Sequence, residues 1–171
     1  MTKTALLFIA IFSAFALAQN VAAQAPASAA PTPAARGPAL ELAIEAARVA
    51  IDTCAALEQK VSVSVVDSAG VLKLLLATDG ALPRGVASST SKARTALAFK
   101  AATSRLGEQA KTDRELADKV AADTSYNIRA GGLPLTVNSE IIGAIGVGGA
   151  RGSEKDEACA LAGIQKIQSR L

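Results

Sequence analysis

The sequence predicts an α+β fold, an α/β sandwich in which helices flank an antiparallel sheet. Two pairs of short β-rich runs each enclose a turn, and hairpins of this kind make antiparallel neighbours. Helical stripes of apolar residues precede, separate and follow the two pairs. The predicted order of elements is therefore α-ββ-α-α-ββ-α, and the segment near Ile128 is a candidate for a fifth, short strand.

The first helix and the first hairpin are indicated by two different periods. Pro38 suits a helix start, and apolar residues then recur every three or four positions as far as about Leu57. The stripe consists of Leu40, Ile44, Ala47, Ile51 and Cys54. Residues 61–65 alternate apolar and polar side chains, residues 67–70 have the composition of a turn, and residues 71–77 make the returning strand.

Two helices are predicted between the hairpins. A loop over residues 79–85, in which Pro83 and Gly85 are typical loop residues, leads to Ser88 and Ser89. Either serine can cap an alanine-rich helix that continues to about Arg105. A shorter helix is predicted over residues 113–122.

The last three elements are the second hairpin and a terminal helix. Residues 135–137 and 141–147 pair across a two-residue turn. Ser153 and Asp156 resemble a capping box at the start of the last helix. Asp156 and Glu157 would then complement the helix dipole, a role that we favour over metal binding.

The chain is predicted to have three parts. Residues 1–23 have the basic start, apolar run and small-residue cleavage site of a secretory signal. The alternative is a membrane anchor, but the apolar run is shorter than the ~20 residues that a spanning helix needs. Residues 24–38 are an Ala/Pro-rich linker that we expect to be disordered. Residues 39–171 have the length of one domain. We expect this domain to contain no membrane span and to be exported, most simply to a Gram-negative periplasm.

Composition excludes several functions. The chain has no histidine, which rules out Ser-His-Asp and Cys-His nucleophiles and removes the commonest metal ligand. Its 18 basic residues are scattered among 15 acidic ones, and aromatic residues make up 3% of the chain. Stacking on bases or tracking of phosphates therefore has little support, and nucleic acid is not an expected partner. No metal site is predicted.

Four motifs in order give the chain a family resemblance. They are Val65-Val66-Asp67-Ser68-Ala69-Gly70, Thr78-Asp79-Gly80-Ala81, Ser91-Lys92-Ala93-Arg94-Thr95-Ala96 and the glycine-rich segments Gly131-Gly132-Leu133-Pro134 and Ile142-Gly143-Ala144-Ile145-Gly146-Val147-Gly148-Gly149. With these motifs the chain resembles the GlcG/heme-binding-protein S (HbpS)-like family, which is related to the PduO C-terminal domain. The resemblance implies a profilin-like fold with about five strands, and oligomers that bind heme or corrinoids.

The two cysteines have two interpretations. In an exported chain they suggest a disulfide, and the family fold implies that the helices carrying Cys54 and Cys159 pack side by side. The alternative is two buried free thiols that act as small apolar groups. We favour the disulfide.

Several residues are candidates for ligand binding. Asp79 and Lys92 lie where an ion pair could form across a loop, and both match positions that the family keeps. The alternative, which the residues alone favour, is that Asp79 caps a turn and Lys92 is solvated on a helix face. Gly131 and Gly132, followed by Pro134, could present backbone N–H groups to an anion, although a purely structural turn is an equal alternative. Tyr126 is a candidate axial ligand for heme iron, besides a lysine or a thiolate. The alternative is that heme binds through its apolar faces and its propionates alone. The propionates could meet Arg84, Lys92, Arg94 or Arg129.

The sequence thus predicts an exported, oligomeric protein that binds a small ligand, heme or a related tetrapyrrole, without catalysing a reaction. One alternative is an enzyme acting on a small hydroxy or keto acid, with Asp79 or Tyr126 as acid/base. Another is a purely structural unit of an oligomer.

Overall fold

A computed structural model describes residues 34–171, so the predicted signal sequence and most of the predicted linker lie outside the described residues. The helices are α1 Leu40–Ala55, α2 Pro83–Phe99, α3 Thr103–Gln109, α4 Arg114–Ala121 and α5 Ser153–Ile167. The strands are β1 Ser62–Asp67, β2 Leu72–Ala77, β3 Gly132–Val137 and β4 Glu140–Gly148. The predicted α+β class is confirmed.

The sheet is antiparallel throughout and has the strand order β2-β1-β4-β3. Both predicted hairpins are present, and the central pairing of β1 with β4 joins them, with Val63 opposite Val147. Within residues 34–171 the sheet has four strands, so the candidate strand near Ile128 is wrong. Side chains satisfy the backbone there instead: Asn127 accepts the Arg129 N–H at 3.1 Å, and the Thr103 hydroxyl donates to the Arg129 carbonyl at 2.7 Å.

The two faces of the sheet carry different layers. Alternate β1 residues Val63 and Val65 join the main core, which α1 and α5 complete. Val66 points to the other face, where it packs with residues of α2. Ser64 also faces α2, because its hydroxyl shares hydrogen bonds of 2.9 Å with Ser89 and Thr90. The alternation predicted for β1 therefore separates an apolar interface from a partly polar one.

Glycines bring α2 into direct contact with the sheet backbone. A Cβ atom added to Gly146 would overlap the Ser89 carbonyl and would lie 2.6 Å from the Ala93 nitrogen. One added to Gly148 would lie 2.8 Å from both the Gly85 carbonyl oxygen and the Ser89 nitrogen. The glycine-rich strand is thus a platform for a helix, with no room between them for a ligand.

The bounds of α2 differ from the prediction at both ends. The helix begins at Pro83 and not at Ser88 or Ser89, since proline at the first position needs no N–H partner. Ser89 lies inside the helix and is fully buried. At the other end Lys100 adopts a left-handed conformation with φ of 54°, so the helix stops at Phe99. The chain resumes as α3 at Thr103.

A disulfide joins Cys54 of α1 to Cys159 of α5, as predicted. The two Cα atoms lie 5.7 Å apart, and 105 positions separate the residues in sequence. A crosslink that closes a loop of this length stabilises the fold by about 4 to 5 kcal/mol on the chain-entropy model.

The end of the predicted linker is packed on the domain. Arg36 and Ser68 exchange hydrogen bonds of 2.8 Å between the Arg36 backbone and the Ser68 hydroxyl and N–H. Lys73 donates to the Pro38 carbonyl at 2.8 Å, and Pro38 is fully buried. The expectation of disorder is therefore wrong for residues 36–38, because they contact the β1–β2 hairpin. Residues 24–33 lie outside the described residues.

No helix in the described part of the chain combines the length and the apolar character that a membrane crossing requires.

The close contact between α2 and β4 gives the first testable prediction. We expect Gly146→Val to lower the free energy of unfolding by about 3 kcal/mol or more, because the added side chain must displace the α2 backbone. Urea unfolding followed by circular dichroism measures the change. The control is Ala87→Val, an enlargement on the exposed side of α2, which should change the stability by less than about 1 kcal/mol. Equal stability of the two variants would contradict the proposed role of Gly146.

Candidate functional site

A buried ion pair joins α2 to α5 beneath the end of β4. Lys92 Nζ donates to Asp156 Oδ2 at 2.7 Å and to the Val147 carbonyl at 3.0 Å. The other carboxylate oxygen of Asp156 accepts the Ala150 N–H at 3.0 Å. Lys92 is 1% exposed and Asp156 is 3% exposed. The pair is therefore sealed from solvent, and each charge has its partner within the protein.

Burial shifts the pKa values of both members of the pair. Desolvation lowers the pKa of Lys92, although the hydrogen bond and charge of Asp156 oppose this shift. Desolvation likewise raises the pKa of Asp156, against the opposing effect of Lys92. Both directions have one cause, because a site without water disfavours each charged form. Removing one partner would consequently leave the other in a costly state.

Asp156 keeps one of the two roles that the sequence indicated, because it is an acidic residue in the first turn of α5, where it complements the helix dipole. The predicted capping box at Ser153 is wrong: Gly152 is the N-cap of α5, and no side chain among residues 34–171 caps the helix. Glu157 contacts the neighbouring segments, since it accepts the Ser104 hydroxyl at 2.7 Å and the Gly131 N–H at 3.2 Å.

Gly131 and Gly132 pack against this ion pair. A Cβ atom on Gly131, whose φ is +123°, would lie 2.9 Å from Lys92 Nζ, and one on Gly132 would overlap the Lys92 carbonyl. The Gly132 N–H donates to the Thr103 hydroxyl at 2.9 Å, and Glu157 takes the Gly131 N–H. The expectation that these two N–H groups face an anion is wrong, because both are used within the protein.

The other candidates lie in separate places. The expected ion pair between Asp79 and Lys92 is wrong, since Lys92 reaches Asp156 and Asp79 is exposed in the loop before α2. Arg84 is exposed in the first turn of α2. Pro134 lies on β3, an edge strand, where a missing N–H is tolerated.

Tyr126 lines a surface groove that we name the Tyr126 groove. Its volume is about 610 Å³. The C-terminal half of α2, the β1–β2 turn, β4 and the segment after α4 all contribute to its wall. The lining residues are Ser68, Ala69, Gly70, Arg94, Leu97, Ala98, Lys100, Asp123, Ser125, Tyr126 and Ile141.

Hydrogen bonds of side chains hold Tyr126 and Asn127, in the segment after α4, against α2. The Thr95 hydroxyl accepts the Asn127 N–H at 2.9 Å, and the Asn127 side chain donates to the Ser88 hydroxyl at 3.2 Å. The Tyr126 ring packs edge-on against Phe99, with 4.9 Å between the ring centroids. Tyr126 is thereby fixed next to the last turn of the helix.

The Tyr126 groove combines apolar surface with charge of both signs. Leu97 and Ile141 supply apolar side chains, whereas Arg94 and Lys100 are exposed cations. Hydrogen bonds from the Ser125 hydroxyl and backbone N–H lower the pKa of Asp123, which is therefore ionised at neutral pH. Two cations beside apolar side chains suit a ligand with a flat apolar body and carboxylate groups.

Sequence reasoning identified Tyr126 and Arg94 but missed Lys100, Leu97 and the contribution of the β1–β2 turn. The position of Lys100 has no local signal, because a lysine rarely takes the left-handed conformation that ends α2 here. Within residues 34–171 no group of three or more Cys, Asp and Glu side chains is placed to hold a metal ion.

The fold defines a class: a small α+β domain in which helices flank a four-stranded antiparallel sheet, with the Tyr126 groove on its surface. The chain belongs to the HbpS-like family, because the family model described as "Haem degrading protein HbpS-like" matches residues 39–165. No curated protein matches the chain.

Solved structures support the same assignment. A double mutant of HbpS from Streptomyces reticuli is 34% identical with a TM-score of 0.69, covering 81% of this chain and 98% of that one. A second HbpS structure is 33% identical with a TM-score of 0.70, covering 86% and 99%. A complex of PduOC with heme is 25% identical with a TM-score of 0.68, covering 74% and 92%. The family resemblance predicted from the motifs is confirmed, and the family is connected with heme.

The buried ion pair gives the second prediction. We expect Lys92→Met to cost about 3 to 5 kcal/mol of stability at neutral pH, because it leaves Asp156 buried without its cation. The loss should shrink as the pH falls. Asp156 has a raised pKa in the folded state, so its neutral form favours folding below the unfolded-state pKa of about 3.9, and this contribution disappears as the pH rises through the folded-state pKa.

Urea unfolding of both proteins across the acid range measures this difference. The control is the double variant Lys92→Met with Asp156→Leu, which removes both charges and should recover much of the stability at neutral pH. A loss that is independent of pH and equal in the single and double variants would show that lost packing, and not an unpaired carboxylate, causes the effect.

Proposed function

We propose that the protein is an exported binding protein for heme or a related tetrapyrrole, and that the ligand binds in the Tyr126 groove. The observation that carries the proposal is the combination in one groove of apolar side chains, two cations and a tyrosine. The connection of the family with heme supports the choice of ligand.

The residues of the groove fit such a ligand. Leu97 and Ile141 offer apolar contact to a macrocycle, and Arg94 and Lys100 offer charge-assisted hydrogen bonds to propionates. Lys92 is excluded as a propionate partner because it is buried and paired with Asp156. Heme, when bound, supplies an iron that accepts an axial ligand.

Tyr126 is the residue that we propose for this axial position. The chain has no histidine, its one methionine is Met1, and both cysteines are in the disulfide. A tyrosine oxygen is an established type of heme ligand. Since the described residues that line the groove present no complete set of nucleophile, base and orienting group, we propose binding without turnover.

A hemin titration of the purified protein tests the proposal. We expect a saturable Soret shift with a defined stoichiometry, and an affinity reduced by about tenfold in Arg94→Gln because one charge-assisted contact is lost. Tyr126→Phe should change the absorption spectrum, since phenylalanine cannot coordinate iron. The matched control is Arg48→Gln, an exposed arginine on α1, which should bind like the parent protein.

Three results would contradict parts of this proposal. A spectrum of free hemin at all ratios would refute tetrapyrrole binding. Equal weakening by Arg48→Gln and Arg94→Gln would refute the Tyr126 groove as the site. Steady loss of Soret absorbance with release of an altered pigment would refute binding without turnover, and would agree with the family description as a heme-degrading protein.

Export and self-association are further parts of the proposal. Six large apolar side chains are between 39% and 60% exposed and could pack between copies of the chain: Leu40, Leu57, Val71, Leu72, Leu82 and Leu161. We expect native mass spectrometry of protein recovered from bacterial periplasm to show a homo-oligomer of chains that begin at Gln24. A monomer would refute self-association, and an intact Met1 or a chain found only in the cytoplasm would refute export.

A further inference from the structure

A second cavity, which shares no residue with the Tyr126 groove, lies at the opposite end of α2. Its volume is about 510 Å³. Three of its lining residues are cationic, namely Lys60, Arg84 and Arg151, and Glu58 is the only acid among the described residues that line it. We name it the cationic cavity.

The three cations come from distant parts of the sequence. Lys60 lies between α1 and β1, Arg84 is in the first turn of α2, and Arg151 lies between β4 and α5. Gln59 ties two of these segments together, because its side-chain oxygen accepts the Arg151 N–H at 2.8 Å. The convergence of the cations is therefore fixed by the fold.

These charges are not neutralised inside the protein. None of the three cationic side chains forms a salt bridge with any of residues 34–171. The first turn of α2 also contains no acidic residue, and in the described part of the chain no side chain caps this helix. The positive end of the helix dipole thus adds to the potential at Arg84.

Two glycines in the cavity wall pack against Lys60. Gly80 has a φ of +74°, and a Cβ atom there would lie 2.9 Å from Lys60 Nζ. Gly149 has a φ of +122°, and a Cβ atom there would lie 2.7 Å from the Lys60 carbonyl oxygen. Glycine at both positions therefore lets the two loops pack closely on Lys60, which fixes this part of the cavity wall.

We propose that the cationic cavity binds a small dianion, a compound with either two carboxylates or one phosphate group. The three cations and the carboxylate of Glu58 give the cavity a net charge of two positive units, which a dianion balances. Arg84 and Arg151 can each bind a carboxylate or a phosphate through two parallel hydrogen bonds, and Lys60 adds a point charge. This site is independent of tetrapyrrole binding in the Tyr126 groove.

Isothermal titration calorimetry of the purified protein tests the proposal with malonate, inorganic phosphate and acetate as probes. We expect saturable binding of malonate or phosphate at one site per chain, and binding of acetate at least about tenfold weaker because acetate carries one charge. The stronger of the two dianions identifies the ligand as a dicarboxylate or a phosphate compound. Absence of saturable binding by both dianions would overturn the proposal.

Two variants and a control locate the site. Arg84→Gln and Arg151→Gln should each weaken binding by about tenfold, and both side chains are exposed, so the fold should tolerate the changes. Arg48→Gln removes an exposed arginine outside the cavity and should leave the affinity unchanged. Two results would overturn the assignment to this cavity. One is an affinity for the dianion that is equal in the parent protein and all three variants, and the other is an equal loss of affinity in all three variants. Arg84→Gln should bind hemin with the same affinity as the parent protein. The hemin titration thus tests the Tyr126 groove, and the calorimetry tests the cationic cavity, so that failure of one proposal is distinguished from failure of the other.

Discussion

The contact of the α2 backbone with the glycines of β4 determines the arrangement of everything around that helix. Gly146 and Gly148 let the helix approach until its carbonyl and amide groups touch the strand. At this distance the side chains on the inner face of α2 must be small or must reach past the sheet. Ser89, Ala93 and Ala96 are small. Lys92 reaches beyond the end of β4 to Asp156.

Three regions consequently depend on one helix. Arg84 in the first turn faces the cationic cavity, Lys92 in the middle joins α5, and Arg94 with Leu97 lines the Tyr126 groove. A shift of α2 along β4 would move all three together. The ion pair opposes such a shift, because sliding would pull Lys92 Nζ away from both the Val147 carbonyl and Asp156 while they stay buried.

Much of the fold was predictable from local sequence, and the reasons are physical. The alternation in β1, the turn at residues 67–70 and the stripe of α1 are properties of neighbouring residues, so they identified both a hairpin and a helix. Pro83 and Gly85 indicated a loop because these residue types are frequent in loops, but proline is equally suited to the first turn of a helix. The pairing of Lys92 with Asp156 joins residues 64 positions apart and has no local pattern. The local pattern around Asp156 therefore predicts a helix cap and not an ion pair. Likewise, no local pattern indicates that Tyr126 and Arg84 line different cavities in the folded chain.

The bridge between α1 and α5 has a consequence for how the protein responds to its redox environment. Cys54 and Cys159 are both 0% exposed, so a dissolved thiol cannot attack either sulfur while the two helices stay packed. Reduction then requires a transient opening of this interface, and the frequency of that opening governs how fast the crosslink is lost. In the folded protein the buried crosslink is therefore protected kinetically against reduction.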